Sequence, residues 1–246
     1  MKRFLAIVAY DGTNFFGSQG QPNVRTVQGE FEKALERIFG RRIITQFAGR
    51  TDTGVHAWGQ AVAFTPLHER FDTKTMRNAL NANLPEDIYV RNVMEVDQDF
   101  NPRFRAVKRI YHYYLWNSEV SNLFFRRYTW WFPYHLDVTT MREASRIFEG
   151  EHDFASFAKQ PSNKNTTRTV YRIRIVKRGN ILLVRVEGKA FLRRMVRNMV
   201  AALVKIGLNQ WSLRDLKEVL ESRDRMAASG AGSAPACGLV LYSVIF

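Results

Sequence analysis

The run from Phe4 to Tyr10 is apolar throughout and closes on Asp11-Gly12, a turn signal, so it predicts a buried strand. Val27, Phe31, Leu35 and Ile38 then recur at helical spacing, behind Thr26 as an N-cap and before Gly40 as a stop. Ile43 to Phe47 and Gln60 to Thr65 read as strands, Lys74 to Asn83 as a helix and Ile88 to Glu95 as a strand. The order in residues 1–100 is βαββαβ.

Residues 101–246 repeat it with one helix added. Ile110 to Trp116 is strand-like, Met141 to Phe148 helical, and Val170 to Lys177 with Ile181 to Glu187 form a hairpin around Gly179-Asn180. Leu192, Val196, Met199 and Leu203 mark a long helix that places Arg193 and Arg197 on one flank. Leu213 to Leu220 marks another helix, and Leu239 to Ile245 a closing strand. The expected fold is α+β: two ferredoxin-like halves, 1–100 and 101–246, sharing a mixed, mostly antiparallel sheet with a central RNA-binding cleft. Doubled sheets of this kind occur among RNA-binding modules, but fold analogy alone assigns no function.

The repeat exposes one abnormal connection. The second half joins its central strands by a tight turn, whereas the first runs from Ala48 to Gly59 through Gly49-Arg50-Thr51-Asp52-Thr53-Gly54-Val55-His56-Ala57. A structural hairpin needs only about two to five residues. The added length points to a role for this loop.

Charge narrows that role. The net charge is +14, from 37 Lys and Arg against 23 Asp and Glu. Residues 1–100 are balanced, so the second half carries the whole excess, an arrangement that favours a nucleic acid partner over an anionic membrane surface. No apolar run nears the roughly 20 residues that span a bilayer, and Met1-Lys2-Arg3-Phe4 leads into a strand in place of a signal peptide. The expectation is a soluble, cytoplasmic protein. The single Cys237 reads as a small buried thiol. His56, His68, His112, His135 and His152 lack zinc-ligand spacing, so neither a metal nor a cofactor is expected.

Asp52 is the candidate nucleophile or base, although an Asp between threonines and near a glycine also suits an Asx turn or a cap. Arg50 is close enough in sequence to pair with that carboxylate and keep it ionised, or it is a surface arginine. His56 reads as a loop hydrogen-bonding residue, since nothing beside it completes a triad. In Arg109-Ile110-Tyr111-His112-Tyr113, alternation puts Tyr111 and Tyr113 on one face. Tyr113 suits the core, and Tyr111 suits stacking on an unstacked base with its hydroxyl as acid or base. Arg193 and Arg197 suit solvent, phosphates or the Asp52 loop, and spacing does not choose between these.

Taken in series, these stretches resemble the TruA-type tRNA pseudouridine synthases over nearly the whole chain. Tyr10-Asp11-Gly12-Thr13 with Gly17 resembles the family's opening, Gly49 to Ala57 its catalytic loop and Arg109 to Tyr113 its tyrosine segment. His152 to Phe157, Phe191-Leu192 with Met195 to Asn198, and Ala234 to Ala236 with Gly238 to Leu241 complete the match. Thr53 stands where the family usually has Ala and Ser18 where it has Trp, and neither departure falls on Asp52. The resemblance implies isomerisation of uridine to pseudouridine at positions 38 to 40 of the tRNA anticodon arm, without cofactor or metal, by a homodimer. It implies that Asp52 is the essential carboxylate, Arg197 its partner, Arg50 a ligand of the flipped-out nucleotide, and Tyr111 the residue that stacks on the uracil and takes the C5 proton. Two rivals remain at this level: a non-catalytic RNA chaperone in which the loop clamps phosphate, and a nucleic acid hydrolase using His56 as base. A pseudouridine synthase for other uridines is a third.

Overall fold

The computed structural model describes residues 2–68, 70–159 and 165–246, and the N-terminal apolar run lies in it as strand β1 (Arg3–Tyr10). This strand belongs to a first unit of residues 1–107 and 241–246, while residues 108–240 form a second. In the first unit, α1 (Val27–Phe39) starts behind Thr26, whose side chain accepts from Gly29 N–H, and ends at Gly40 with φ at +75°. After α1 come β2 (Gln46–Phe47), β3 (His56–Phe64), α2 (Thr73–Asn83), β4 (Ile88–Val96) and a single turn of helix, α3 (Pro102–Arg105). β1 pairs antiparallel with β3 on one side and β4 on the other, and β2 pairs with β3. Phe4, Ala6 and Val8 are fully buried on the face where Phe31 of α1 meets Phe64 of β3 at 6.0 Å. Burying each such ring contributes on the order of 2 kcal/mol before entropy is counted.

Two expectations about this unit need correction. The strand expected over Ile43 to Phe47 shrinks to Gln46–Phe47 because Thr45 is drawn out of the ladder by α1. Its N–H and hydroxyl both donate to the Glu32 carboxylate, at 3.2 and 3.0 Å. The loop expected to run to Gly59 ends earlier, since His56 and Ala57 already lie in β3. Gly59 has another use: a Cβ there would fall 2.6 Å from the Tyr242 carbonyl oxygen, so only glycine admits the C-terminal strand at that distance.

The second unit holds β5 (Lys108–Asn117), β6 (Trp130–Phe132), α4 (Val138–Ser145), β7 (Gly150–Asp153), β8 (Thr167–Arg178), β9 (Ile181–Gly188), α5 (Met195–Gly207) and α6 (Leu213–Ser222). β10 (Leu239–Ile245) begins in this unit and belongs to the first from Leu241 onward. The ladder runs β5-β9-β8-β7, all antiparallel. β6 joins β5 in parallel, which makes the pairing mixed; sequence pattern misses it because a strand of three aromatic residues carries no alternation. Asn117 fixes it, its amide donating to the Phe132 and Tyr134 carbonyls at 3.0 and 2.8 Å. The long helix starts later than Leu192. Arg194 sits at φ +62°, outside the right-handed helical region, so Arg193 precedes α5 and does not share a helix flank with Arg197. Among the described residues no helix is long and apolar enough to cross a membrane.

Gly238 marks the tightest approach in the second unit's core: a Cβ there would lie 2.6 Å from Tyr113 Cζ and 2.8 Å from the Tyr114 carbonyl oxygen. Gly238→Ala is expected to cost about 1–3 kcal/mol through overpacking. Urea unfolding checks this as a lowered midpoint with an unchanged slope.

Candidate active site

The loop between β2 and β3 is tethered along its length. Ala48 N–H donates to the Ala61 carbonyl at 2.9 Å, and the buried Gln60 amide donates to the Gly49 carbonyl at 2.8 Å. Further on, Val55 N–H closes a turn on the Asp52 carbonyl at 3.1 Å, and Gly54 N–H reaches the Phe15 carbonyl at 3.3 Å. Gly54 makes that turn possible, since its φ of +76° is one that L side chains rarely adopt.

Thr51, the residue before Asp52, is held most firmly. Its N–H donates to the Ser18 hydroxyl at 2.8 Å, and its carbonyl accepts from Ser18 N–H at 3.1 Å. Its own hydroxyl shares a hydrogen bond of 2.8 Å with the Tyr10 hydroxyl. Burial pushes the Tyr10 phenol up to about 12, so it stays neutral and usable as a hydrogen-bonding group across ordinary pH. Ser18 is completely buried, and Gly17 beside it, at φ +92°, would place a Cβ 2.8 Å from the Thr51 carbonyl oxygen. Asp52 itself is half-buried at the next position, and Thr53 is exposed.

His56 closes the loop from the other side. It is buried, and its Nδ1 accepts from Gly12 N–H at 2.9 Å. Asp11 Oδ1 lies 3.1 Å from the same nitrogen. A Cβ on Gly12 would overlap the Val55 carbonyl oxygen, so the backbones of the two loops are in direct contact there. His56 is therefore a joint between loops, as its sequence setting suggests. Arg50 is exposed. No group of three or more His, Cys, Asp or Glu among the described residues is placed to hold a metal ion.

In the second unit, Tyr111 lies in β5 opposite Val186 and is largely buried, with the Phe191 ring edge-on at 5.3 Å. The Phe191 ring lies over Gly188, where a Cβ would fall 2.8 Å from it. Arg109 is spent on structure, donating to the Lys189 carbonyl at 2.6 Å. Tyr113, two residues from Tyr111, is fully buried and donates to the Pro235 carbonyl at 2.8 Å. Burial holds its phenol well above the usual range. Arg197, in the first turns of α5, is half-buried, and its Nε donates to the Ala234 carbonyl at 2.6 Å while Ala234 N–H returns to the Arg197 carbonyl at 3.3 Å. Arg193 is exposed, with its carbonyl accepting from Lys159 N–H. Burial also raises the Cys237 thiol, whose sulfur lies 3.5 Å from the Thr129 carbonyl, so this cysteine is kept from the reactive thiolate form.

Sequence reasoning overlooked Tyr10, Ser18 and Thr51. Ser18 left a trace as a departure from the family pattern, but nothing local shows that a serine distant in sequence meets the residue before Asp52.

Comparison with known proteins agrees with this arrangement. The family model described as tRNA pseudouridine synthase matches residues 6–105 and 144–246. The tRNA pseudouridine synthase A of Thermotoga maritima is 58% identical over the full length of both chains, and that of Pseudothermotoga lettingae 60% identical, again over both full lengths. Among solved structures, a Cbf5-Nop10-Gar1 complex covers 82% of this chain and 54% of its own matched chain at 14% identity and a TM-score of 0.33, a likeness too weak to bear on the fold. With the Asp52 loop and the helix of Arg197 both within the residues the family model matches, and with relatives 58% and 60% identical over the full length, the chain belongs to the tRNA pseudouridine synthase family, a family of isomerases.

Proposed function

We propose that this protein converts uridine to pseudouridine at positions 38 to 40 of the tRNA anticodon arm, in the cytoplasm and as a homodimer, with Asp52 as the essential carboxylate. The observation that carries the assignment of Asp52 is the tethering of Thr51. Three hydrogen bonds at 2.8 to 3.1 Å hold the backbone directly before the carboxylate, so its geometry is set before substrate arrives.

The reaction breaks the bond between uracil N1 and ribose C1′ and makes one between C5 and C1′. The proton lost from C5 is balanced by the one gained at N1, with no redox change and no net hydrolysis. Asp52 acts on the sugar or the base in the first step. Arg50, Tyr111 and Arg197 bind the nucleotide: Arg50 is exposed, Tyr111 offers a ring and a hydroxyl, and Arg197 offers a cation whose position is fixed through Nε. The first half carries the essential carboxylate, and the strongly basic residues 101–246 add Tyr111 and Arg197 and grip the tRNA through its phosphates.

Asp52→Asn is expected to abolish pseudouridine formation on a tRNA transcript while leaving tRNA binding intact; appreciable residual turnover would remove Asp52 from its role. Tyr111→Phe keeps the ring and removes the hydroxyl, so kcat should fall about 100-fold with KM changed little. Ser18→Ala leaves the buried Thr51 N–H without its acceptor, which costs about 1–3 kcal/mol of stability. The same variant should lower kcat more than it raises KM, as single-turnover and steady-state assays together will show.

A further inference from the structure

Trp58, Tyr89 and Arg91 form an exposed aromatic and cationic patch on the first unit that the chemistry above leaves unused. β1 lies between β3 and β4, with Tyr10 opposite Ala57 and Ala9 opposite Tyr89. Tyr10 faces the buried side with Ile88 opposite it, so alternation turns Tyr89 to the other, and Trp58, at the register shift of β1 on β3 between Val8 and Tyr10, is turned outward as well. Trp58 is 49% exposed and Tyr89 58%. Arg91, on the same strand as Tyr89, ties the two rings into one patch. The Arg91 guanidinium carbon sits 4.0 Å from the Trp58 ring centroid, and the same group donates to the Trp58 carbonyl at 3.1 Å.

An arginine bonded to the backbone of the residue whose ring it covers holds that ring in one orientation at little further entropy cost. Its remaining N–H groups carry a positive charge at the edge of the patch. A flat, π-faced and anionic ligand fits this combination, and a nucleotide is all three. A protein partner fits less well, because a stable interface needs about 800 Å² per side with an apolar centre. Here the exposed β4 neighbours of the patch include Asn92 and Glu95. Position also favours RNA: Trp58 stands on the strand by which the chain leaves the Asp52 loop.

We propose that Trp58, Tyr89 and Arg91 form a stacking subsite for an unpaired nucleotide of the RNA substrate other than the reacting uridine, with Arg91 facing its phosphate; this rests on the reading of the protein as an RNA-modifying enzyme. The test uses full-length protein and a tRNA transcript at one fixed salt concentration. Dissociation constants are measured in an Asp52→Asn background, and KM and kcat with Asp52 intact, for Trp58→Ala, Trp58→Phe and Tyr89→Ala. Trp58→Ala should raise both Kd and KM about 10-fold or more while kcat stays within about 2-fold, and Trp58→Phe should retain most of the affinity. Tyr89→Ala should act in the same direction, and thermal melts check that each variant is folded. Unchanged Kd and KM in folded Trp58→Ala and Tyr89→Ala would overturn the subsite. So would a change of oligomeric state in sedimentation with RNA affinity intact, which would assign the patch to a protein contact. Because Kd is read without turnover, failure of the wild-type enzyme to form pseudouridine would remove the catalytic reading and still leave the subsite to be decided by binding.

Discussion

Everything proposed for this protein depends on the three hydrogen bonds that hold Thr51. A loop between two strands is ordinarily the most mobile part of a hairpin, yet a carboxylate that must meet one atom of a substrate has to be placed to within about half an ångström. The chain reconciles these demands by anchoring the loop to buried polar groups of other segments. The Ser18 hydroxyl and backbone and the Tyr10 hydroxyl close on Thr51 from below, and Gln60 secures Gly49. Each of those groups would cost on the order of 1–3 kcal/mol if buried unpaired. Together the network is stable only when complete, which makes the geometry of the loop nearly all-or-none.

The glycines make that closeness possible. Gly12 and Gly17 both lie where a side-chain carbon would strike the backbone of the loop, at Val55 and at Thr51 respectively. They belong to the opening Tyr10-Asp11-Gly12-Thr13 segment and its extension, so the N-terminal strand and the Asp52 loop form one constructed object. His56 adds a joint, its Nδ1 accepting from Gly12 N–H. The residue that reads in sequence as a loop hydrogen-bonding group holds two loops together.

Much of this was legible in the sequence, and the parts that were not share a cause. Thr26, Gly40 and the Gly179-Asn180 turn act through their immediate neighbours, and the structure uses them as their types suggest. Tyr113 reads as a core residue and is one, with its hydroxyl satisfied by Pro235. The errors arise where a distant residue overrides local pattern. Glu32 takes Thr45 out of a strand, and, locally, the left-handed backbone at Arg194 delays a helix whose apolar stripe begins at Leu192. Ser18 is the sharpest instance: a polar residue among aromatics carries no local signal that its hydroxyl will meet Thr51.

Tyr111 and Tyr113 are held differently on one strand, and the proposed chemistry uses only the first. Both alternate to the same side of β5, yet Tyr113 is locked by Pro235 and by the bare Gly238 against its ring, with its phenol driven further from ionisation. Tyr111 is also largely buried, with the edge of Phe191 at 5.3 Å fixing the plane of its ring. Extruding a base from a folded RNA costs a few kcal/mol of lost stacking, and rings held at fixed orientation return about that much when a base settles on them. Ring stacking is tolerant of base identity, whereas the carboxylate is not tolerant of position. On this account the aromatic residues set how readily RNA is opened and held, and the anchored loop sets which atom reacts.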